Sequence, residues 1–224
     1  PNLIEGRLGA PSFSADPLGT VPEFSEEAVM SDKTEEAIQK STDYYNSSDT
    51  DNYYRKIWGG ESIHVGIFDE PGISIRDAAR RAVTYLAGRL DTLGPNSTVI
   101  DLGCGPGNIA CLLVQRWHQI EVLGVDGAPK MLAVAQQRTQ SLDADQAKRL
   151  QWQQACLPDP TLPVGFTAVV SNSLLHHLHD PAVLWGSVRQ LAGPDCVVVI
   201  HDLRRPSQED ELQQLLAAFS RRFS

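Results

Sequence analysis

Residues 98–107 constrain the fold of this chain most, because a short apolar run there ends in an acid and three glycines spaced one residue apart. The run is typical of a buried parallel strand, since turn-forming residues flank it and it shows no polar face. Glycine at every second position lets the backbone of the following loop approach a ligand closely, although such glycines can also serve only a tight turn. The apolar residues are Val99, Ile100 and Leu102, followed by the loop residues Gly103, Gly105 and Gly107.

Apolar residues recur at helical spacing over 108–117, which predicts that the glycine loop ends at the N-terminus of a helix with free N–H donors. The dinucleotide-binding fingerprint wants a glycine where Asn108 stands, so this chain fails that pattern. A second apolar strand, Glu121–Asp126, ends roughly 20 residues beyond the loop, where a ribose diol would need a carboxylate. Asp126 is therefore predicted to bind a ribose.

The spacing Asp101-x-Gly103-x-Gly105-x-Gly107 resembles motif I of the class I S-adenosylmethionine (SAM) methyltransferases. The resemblance implies a Rossmann-like three-layer αβα sandwich with a mainly parallel sheet, and S-adenosyl-L-methionine as the cofactor. It also implies that the acid and the glycine backbone hold the amino-acid end of the cofactor, and that Met131 packs on the adenine, with plain core packing as the alternative. The predicted cofactor-binding residues are Asp101, Gly103, Cys104, Gly105, Gly107, Asp126, Gly127, Met131, Cys156, Leu157 and Asn172.

Two positions depart from the pattern of that family. In a third predicted strand, within Leu150–Pro158, many members place an acid that accepts a hydrogen bond from the adenine amino group, and here no acid stands nearby. The backbone N–H of Cys156 or Leu157 is the predicted substitute. The usual acid before the fourth strand is Thr167 in this chain, while Asn172 lies at the carboxyl end of that strand, where open α/β sheets bind ligands.

The composition indicates a single soluble domain. The chain has 224 residues, of which 42% are hydrophobic, enough for one full core. Its four cysteines form no CxxC pair, and neither a signal segment nor an 18-residue apolar run occurs, so a cytoplasmic protein without a membrane partner is predicted. The net charge is −9, and residues 1–50 carry −7 of it, so the body lacks the clustered basic residues that a nucleic-acid partner would need.

Three regions are predicted along the chain. Residues 1–29 are interpreted as an expression tag or disordered arm, because residues 4–7 match a common protease-cleavage tag and no periodicity occurs; a natural flexible arm is the alternative. Residues 30–72 would form an N-terminal helix and an aromatic lid. Residues 73–224 would form the SAM-binding domain, which begins with a helix over Ile73–Leu93.

Residues 44–68 hold tyrosines, a tryptophan and glycines at a density unusual for a linker, although any one aromatic could be an ordinary core anchor. The segments Tyr-Tyr-x-Ser-Ser and Ile-Trp-Gly-Gly-Glu-Ser-Ile-His-Val-Gly-Ile-Phe resemble the N-terminal part of sarcosine/dimethylglycine N-methyltransferases, and more loosely that of tocopherol methyltransferases. The resemblance implies a lid that closes over the cofactor and shapes the substrate pocket. The predicted substrate-binding residues are Tyr44, Tyr45, Tyr53, Trp58 and His176, and the predicted catalytic residues are His176, His64 and Tyr45.

Three histidines, at positions 176, 177 and 179, follow the fourth predicted strand. Their spacing offers no i, i+4 pair and no carboxylate-rich partner, so no metal site is predicted. A fifth strand begins near Cys196, and a last helix is predicted over Glu209–Phe223. The class I fold normally adds two more strands at the sheet edge, for which no sequence remains. Either the C-terminus is truncated or the chain leaves an edge strand uncovered, and for the second case an open sheet edge and a homo-oligomer formed through it are predicted.

The predicted function is SAM-dependent methyl transfer to a small molecule, such as the amine of sarcosine or dimethylglycine. In-line displacement asks the protein mainly to orient and desolvate the reactants. An amine must also be unprotonated before it reacts, which calls for a near-neutral acceptor such as a histidine. Two alternatives remain open: a methyltransferase for an aromatic or prenylated acceptor, and a SAM-binding protein without turnover.

Overall fold

The fold was obtained as a computed structural model that describes residues 2–7, 36, 39–40, 43, 66–203, 208–210 and 213. A six-stranded sheet forms its centre. The strands are β1 (Asn2–Arg7), β2 (Thr98–Leu102), β3 (Glu121–Asp126), β4 (Leu150–Gln154), β5 (Phe166–Asn172) and β6 (Ala192–Asp202). Their spatial order is β1-β6-β5-β2-β3-β4, in which β2 to β6 run parallel and β1 runs antiparallel to β6.

Helices cover both faces of this sheet, as the crossover connections of a parallel sheet require. The helices are α1 (Ile75–Gly88), α2 (Asn108–Arg116), α3 (Pro129–Thr139), α4 (Ala144–Lys148) and α5 (Pro181–Leu191), with a 3₁₀ turn at Leu175–His177. Within the ranges given above, no helix combines the length and apolar character needed to cross a membrane. The predicted three-layer αβα sandwich with a mainly parallel sheet is confirmed.

The central strand β2 shows why the sheet is covered on both sides. Val99 belongs to a core shared with α1 and α2, whereas Ile100 and Leu102 belong to a second core shared with α5. Alternate side chains of a strand point to opposite faces, so this short run anchors both layers at once. Asp101 lies between those two positions and is fully buried.

Helix boundaries follow local capping. The hydroxyl of Ser74 accepts a hydrogen bond from the Asp77 amide at 3.1 Å and so begins α1, which ends at Gly88 rather than at the predicted Leu93. The carboxylate of Asp180 accepts from the Ala182 amide at 2.8 Å at the start of α5, as predicted. The five-residue helix α4 was not predicted, because a capping box rather than an apolar stripe defines it.

The strand β1 adds residues 2–7 to the edge of the sheet. Its six residues pair with β6 over the register Asn2↔Asp202 to Arg7↔Val197, although residues 1–29 were expected to lie outside the fold. The edge of β6 that was expected to be open therefore carries an antiparallel strand. Among the described residues, no strand follows β6. The division into three regions and the homo-oligomer both stay predictions.

Candidate cofactor and acceptor site

The loop between β2 and α2 forms one wall of the candidate site. Gly103, Gly105 and Gly107 all adopt positive φ angles, of 69°, 51° and 78°, a left-handed region that favours glycine. The amides of Gly103 and Cys104 both donate to the carbonyl of Val125, at 2.9 and 3.0 Å. These bonds tie the loop to the neighbouring strand β3, so its shape is set by the sheet.

Asp126, the last residue of β3, also fastens the loop. One carboxylate oxygen accepts from the Gly105 amide at 2.8 Å, and the other accepts from the Ala128 amide at 2.8 Å. Burial raises the pKa of Asp126, and these two backbone bonds act in the opposite direction. Each carboxylate oxygen has more than one lone pair, so Asp126 retains capacity to accept further hydrogen bonds from a ligand.

Asp101 is a fully buried carboxylate, and among the described residues neither of its oxygens has a hydrogen-bond partner. Complete burial raises its pKa to about 7, and the charge of Asp126 adds to that effect, while the nearby backbone N–H of Ala110 offsets part of it. Burying an ionised carboxylate without a partner costs free energy, and most buried carboxylates are stabilised by a cation or by hydrogen-bond donors. The position beneath the glycine loop therefore favours a cationic group in a ligand bound there.

Trp152 on β4 supports the same loop and was not singled out from the sequence. Its indole Nε1 donates to the Thr139 hydroxyl at 3.0 Å, which fixes the ring between α3 and β3. Trp152 pairs with Gly124 across the two strands, and a Cβ on either Gly124 or Gly107 would overlap its ring. Gly107 is therefore required for packing on Trp152, and its predicted role in ligand approach stays a prediction.

Residues predicted to lie near an adenine surround the end of β3. Met131 is buried in the first turns of α3, Cys156 is exposed, and Leu157 is buried. The side chain amide of Gln154 donates to the carbonyl of Gly127 at 3.4 Å. The segment after β4 is thus held beside Asp126, as a hydrogen bond from the Ala155 amide to the Asp126 carbonyl also shows, at 3.2 Å.

The carboxyl ends of β5 and β6 form a second group of polar side chains. Asn172 is buried, and its Oδ1 accepts from Nδ1 of His201 at 2.8 Å. Burial is the main cause that lowers the pKa of His201. The next residue, Ser173, has a φ of 64° and donates its amide to the His201 carbonyl at 2.9 Å. This left-handed residue turns the chain over the end of the sheet.

His176 follows on that turn and contacts Asp202 at the end of β6. Nδ1 of the imidazole lies 2.7 Å from Oδ1 of Asp202, and the His176 side chain is 31% exposed. The adjacent His177 ring has its centroid 4.0 Å from that of His176. Burial lowers the pKa of His177 to about 4, with a further contribution from His176, while Asp202 acts in the opposite direction.

The predicted cofactor-binding residues lie at or just after the carboxyl ends of β2 to β5, except Met131, which lies in the first turns of α3. Open α/β sheets bind ligands at this edge. Of the predicted catalytic and substrate-binding residues, His176 also lies at this edge. The roles of all these residues stay predictions. The others fall outside the described residues: Tyr44, Tyr45, Tyr53, Trp58 and His64. In the described part of the chain, no cluster of potential metal ligands occurs.

Sequence reasoning missed Asp202 and Leu174. Leu174 packs on the glycine loop, since a Cβ on Gly103 would lie 3.0 Å from the Leu174 Cβ. The apolar run into Leu174 was visible, but its contact with a loop 71 positions earlier depends on the sheet order. The available signal for Asp202 was its place as an acid at the end of an apolar strand, β6, by analogy with Asp126 at the end of β3.

Comparison with known proteins agrees with this architecture. A protein-family model described as a methyltransferase domain matches residues 100–198. The chain is 42% identical over 83 residues to the sarcosine/dimethylglycine N-methyltransferase of Halorhodospira halochloris, a match that covers 37% of this chain and 30% of that protein. It is 34% identical over 143 residues to the trans-aconitate 2-methyltransferase of Azoarcus sp. (strain BH72), covering 64% of this chain and 52% of that protein.

A solved structure shares the fold. The crystal structure of a putative sarcosine dimethylglycine methyltransferase from Galdieria sulphuraria superposes with a TM-score of 0.63 at 24% identity, covering 77% of this chain and 67% of that one. This chain spans about half or less of the two curated relatives described above.

Proposed function

Because the chain belongs to the class I SAM-dependent methyltransferases, we propose that it transfers a methyl group from S-adenosyl-L-methionine to a small-molecule acceptor. The proposed acceptor is an amine such as sarcosine or dimethylglycine. The observation that carries the proposal is the pair of acids around the glycine loop, the fully buried Asp101 and the partly buried Asp126.

The residues present fit the cofactor. Asp126 is fixed by the Gly105 and Ala128 amides and retains acceptor capacity that suits ribose hydroxyls. The unpartnered carboxylate of Asp101 suits the ammonium of an amino-acid moiety, which would stabilise its ionised form. When bound, the cofactor supplies a methyl group on a positively charged sulfur. The chain contributes binding, orientation and exclusion of water.

An amine acceptor is supported by two features of the chain. The first is its similarity to the sarcosine/dimethylglycine N-methyltransferase. The second is His176 on the polar turn after β5, a group able to accept a proton. The similarity to a trans-aconitate 2-methyltransferase supports a second candidate, transfer to a carboxylate oxygen. A carboxylate acceptor needs no proton acceptor, so the two candidates differ in their requirement for His176.

A methyl-transfer assay over a panel of acceptors tests this proposal. The panel contains sarcosine, dimethylglycine, trans-aconitate and a simple phenol. Mass spectrometry detects both the methylated acceptor and the demethylated cofactor. We expect transfer to one of the two amines, and transfer confined to trans-aconitate would replace the amine by the carboxylate. Calorimetric titration with SAM and its demethylated product runs alongside. Absence of binding by both compounds would refute the proposal, and binding without any transfer would leave a SAM-binding protein without turnover.

A further inference from the structure

Asp202 and His176 form a side-chain pair that has the geometry of a positioned base. The two groups come from different strand ends, 26 residues apart, and meet at 2.7 Å because β5 and β6 are parallel neighbours. Asp202 is only 6% exposed, whereas the His176 side chain is 31% exposed. One partner is thus held inside the protein and the other reaches the surface of the site.

Asp202 is itself fixed by backbone donors. The Leu175 amide donates to one carboxylate oxygen at 2.7 Å, and the Leu203 amide donates to the other at 2.7 Å. Burial raises the pKa of Asp202, but the bond from His176 and these amides outweigh burial and leave the pKa below its ordinary value. The carboxylate is therefore ionised at neutral pH and accepts all three hydrogen bonds.

An ionised carboxylate against Nδ1 determines the tautomer of the imidazole. A carboxylate has no proton to donate, so in the neutral ring Nδ1 of His176 carries the hydrogen and Nε2 is left as an acceptor. The same carboxylate stabilises the positive charge that forms when Nε2 takes up a second proton. His177 is less suited to this role, because its pKa of about 4 keeps its ring weakly basic.

The turn that carries His176 also contacts the candidate cofactor loop. Leu174, two residues before His176, packs on Gly103, and the Leu175 amide binds Asp202. Asp202 therefore holds both the imidazole and the backbone that connects it to the glycine loop. Through these contacts, the position of the ring is coupled to the wall against which a cofactor would lie.

We propose that Asp202 is a positioning residue that holds His176 in the Nδ1–H tautomer, so that Nε2 removes the proton from the nitrogen of the methyl acceptor. This inference rests on the proposed function, since it assumes an amine acceptor at that site. In the step, one N–H bond of the acceptor breaks and one N–H bond forms at Nε2. The electron pair stays on the acceptor nitrogen, which becomes nucleophilic, and the proton later leaves Nε2 for water.

The tautomer can be measured without cofactor or turnover. Protein labelled with ¹⁵N-histidine gives imidazole nitrogen shifts that distinguish a protonated nitrogen from an unprotonated one, and His176→Gln assigns the signals. At a pH where the ring is neutral, we expect an unprotonated Nε2 in the wild type. In Asp202→Asn the carboxamide can donate to Nδ1, so we expect the proton to move to Nε2. An Nε2–H tautomer in the wild type would overturn the inference.

Kinetics supply the second readout. We expect Asp202→Asn and His176→Gln each to lower kcat by about 10² or more, the range for loss of a general base. The double variant should be no slower than the worse single variant, because the two groups act as a unit. Affinity for SAM should stay within about threefold of wild type, because neither variant removes a residue assigned to cofactor binding. The matched controls are the exposed Asp145→Asn and His118→Gln.

The outcomes separate this inference from the proposed function. A wild type that binds SAM and methylates an amine, with His176→Gln within threefold of its kcat, would overturn the inference and leave the proposed function intact. A wild type that neither binds SAM nor methylates would refute the proposed function. The tautomer in the cofactor-free protein would even then decide whether Asp202 positions His176.

Discussion

At the scale of single residues, the candidate site depends on three acids that serve different purposes, of which Asp101 and Asp202 are buried and Asp126 is partly buried. Asp126 accepts from two backbone amides, and Asp202 accepts from two amides and an imidazole. In the part of the chain that the structure describes, neither oxygen of Asp101 accepts a hydrogen bond. The pKa values follow the hydrogen bonds that each ionised carboxylate accepts. The bonds to Asp202 outweigh the effect of burial on its pKa, whereas for Asp101 the backbone N–H of Ala110 offsets only part of that effect. An acid left unsatisfied by its own protein is best explained by a ligand that completes it.

The unpartnered Asp101 gives a prediction about stability and pH. Its pKa is raised to about 7, so the folded state binds a proton that the unfolded state has already released above about pH 4. The free energy of unfolding should therefore fall by about 1.4 kcal/mol for each pH unit as pH rises from about 4 to 7. In the absence of ligand, Asp101→Asn should raise the melting temperature at pH 8 and change it much less near pH 5.

Thermal denaturation of both proteins at these two pH values measures the effect. Asp145→Asn, at an exposed position, is the control and should leave both melting temperatures unaltered. Calorimetry should also show that Asp101→Asn weakens SAM binding, because the variant loses the charge that would face the cofactor ammonium. Equal melting temperatures of variant and wild type at pH 8 would show that Asp101 carries no burial penalty.

At the scale of elements, the glycine loop is supported by strands that lie apart in the sequence. Trp152 of β4 fills the space left by Gly124 of β3 and Gly107 of the loop, and Leu174 of the turn after β5 covers Gly103. Two of the three loop glycines thus make room for packing side chains. A ligand-binding loop held by packing on both sides is preorganised, which lowers the cost of binding.

Trp152 allows a test of that support. Trp152→Ala should lower the free energy of unfolding by roughly 3 kcal/mol, at the lower end for a large aromatic because the ring is only partly buried. It should also weaken SAM binding. Trp152→Phe keeps most of the packing and loses mainly the bond to Thr139, worth about 1 kcal/mol.

Urea denaturation and calorimetric titration measure the two effects separately. Trp185→Ala, in α5 on the other face of the sheet, is the control. That variant should be destabilised as well, yet its affinity for SAM should match that of wild type. If Trp152→Ala binds SAM as tightly as the Trp185 variant does, Trp152 only stabilises the fold.

The elements that sequence reasoning predicted share one property: their signal is local. Apolar runs, glycine spacing and an acid at a strand end sufficed for β2, α2 and β3, including Asp126. The pairs Trp152–Gly124 and His176–Asp202 depend on strand order and register, which no local pattern contains. The strand β1 was missed for the same reason, because its partner lies almost 200 residues away and its own periodicity is too short to indicate a strand.

At the scale of the whole molecule, one edge of the sheet gathers the groups that the proposed reaction needs. The glycine loop with Asp126 lies at the ends of β2 and β3, and the pair His176–Asp202 lies at the ends of β5 and β6. Parallel strands place all these ends on the same side, so a cofactor bound at β2 and β3 would face an acceptor bound near β5. The sheet topology therefore explains why the glycine loop and the pair His176–Asp202 lie on the same side of the sheet, and no long loop is needed to bring them there.

The aromatic segment 44–68 carries a prediction that the described residues leave open. Tyr45→Ala and Trp58→Ala should each lower kcat more than they lower affinity for SAM, because these side chains are expected to serve the second substrate. Limited proteolysis should cut this segment faster without SAM than with it. If SAM does not change the rate of proteolysis and both variants transfer the methyl group as wild type does, these aromatics are ordinary packing residues.

The most direct test of the central claim is a calorimetric titration of SAM into wild type and Asp126→Ala, with Asp145→Asn as the control. We predict one site per chain in the wild type and in the control, and an affinity lower by roughly 1.5–3 kcal/mol in Asp126→Ala, the worth of a charge-assisted hydrogen bond. Circular dichroism should show an intact fold in all three proteins. Equal affinity of wild type and a folded Asp126→Ala would contradict the assignment of the cofactor site.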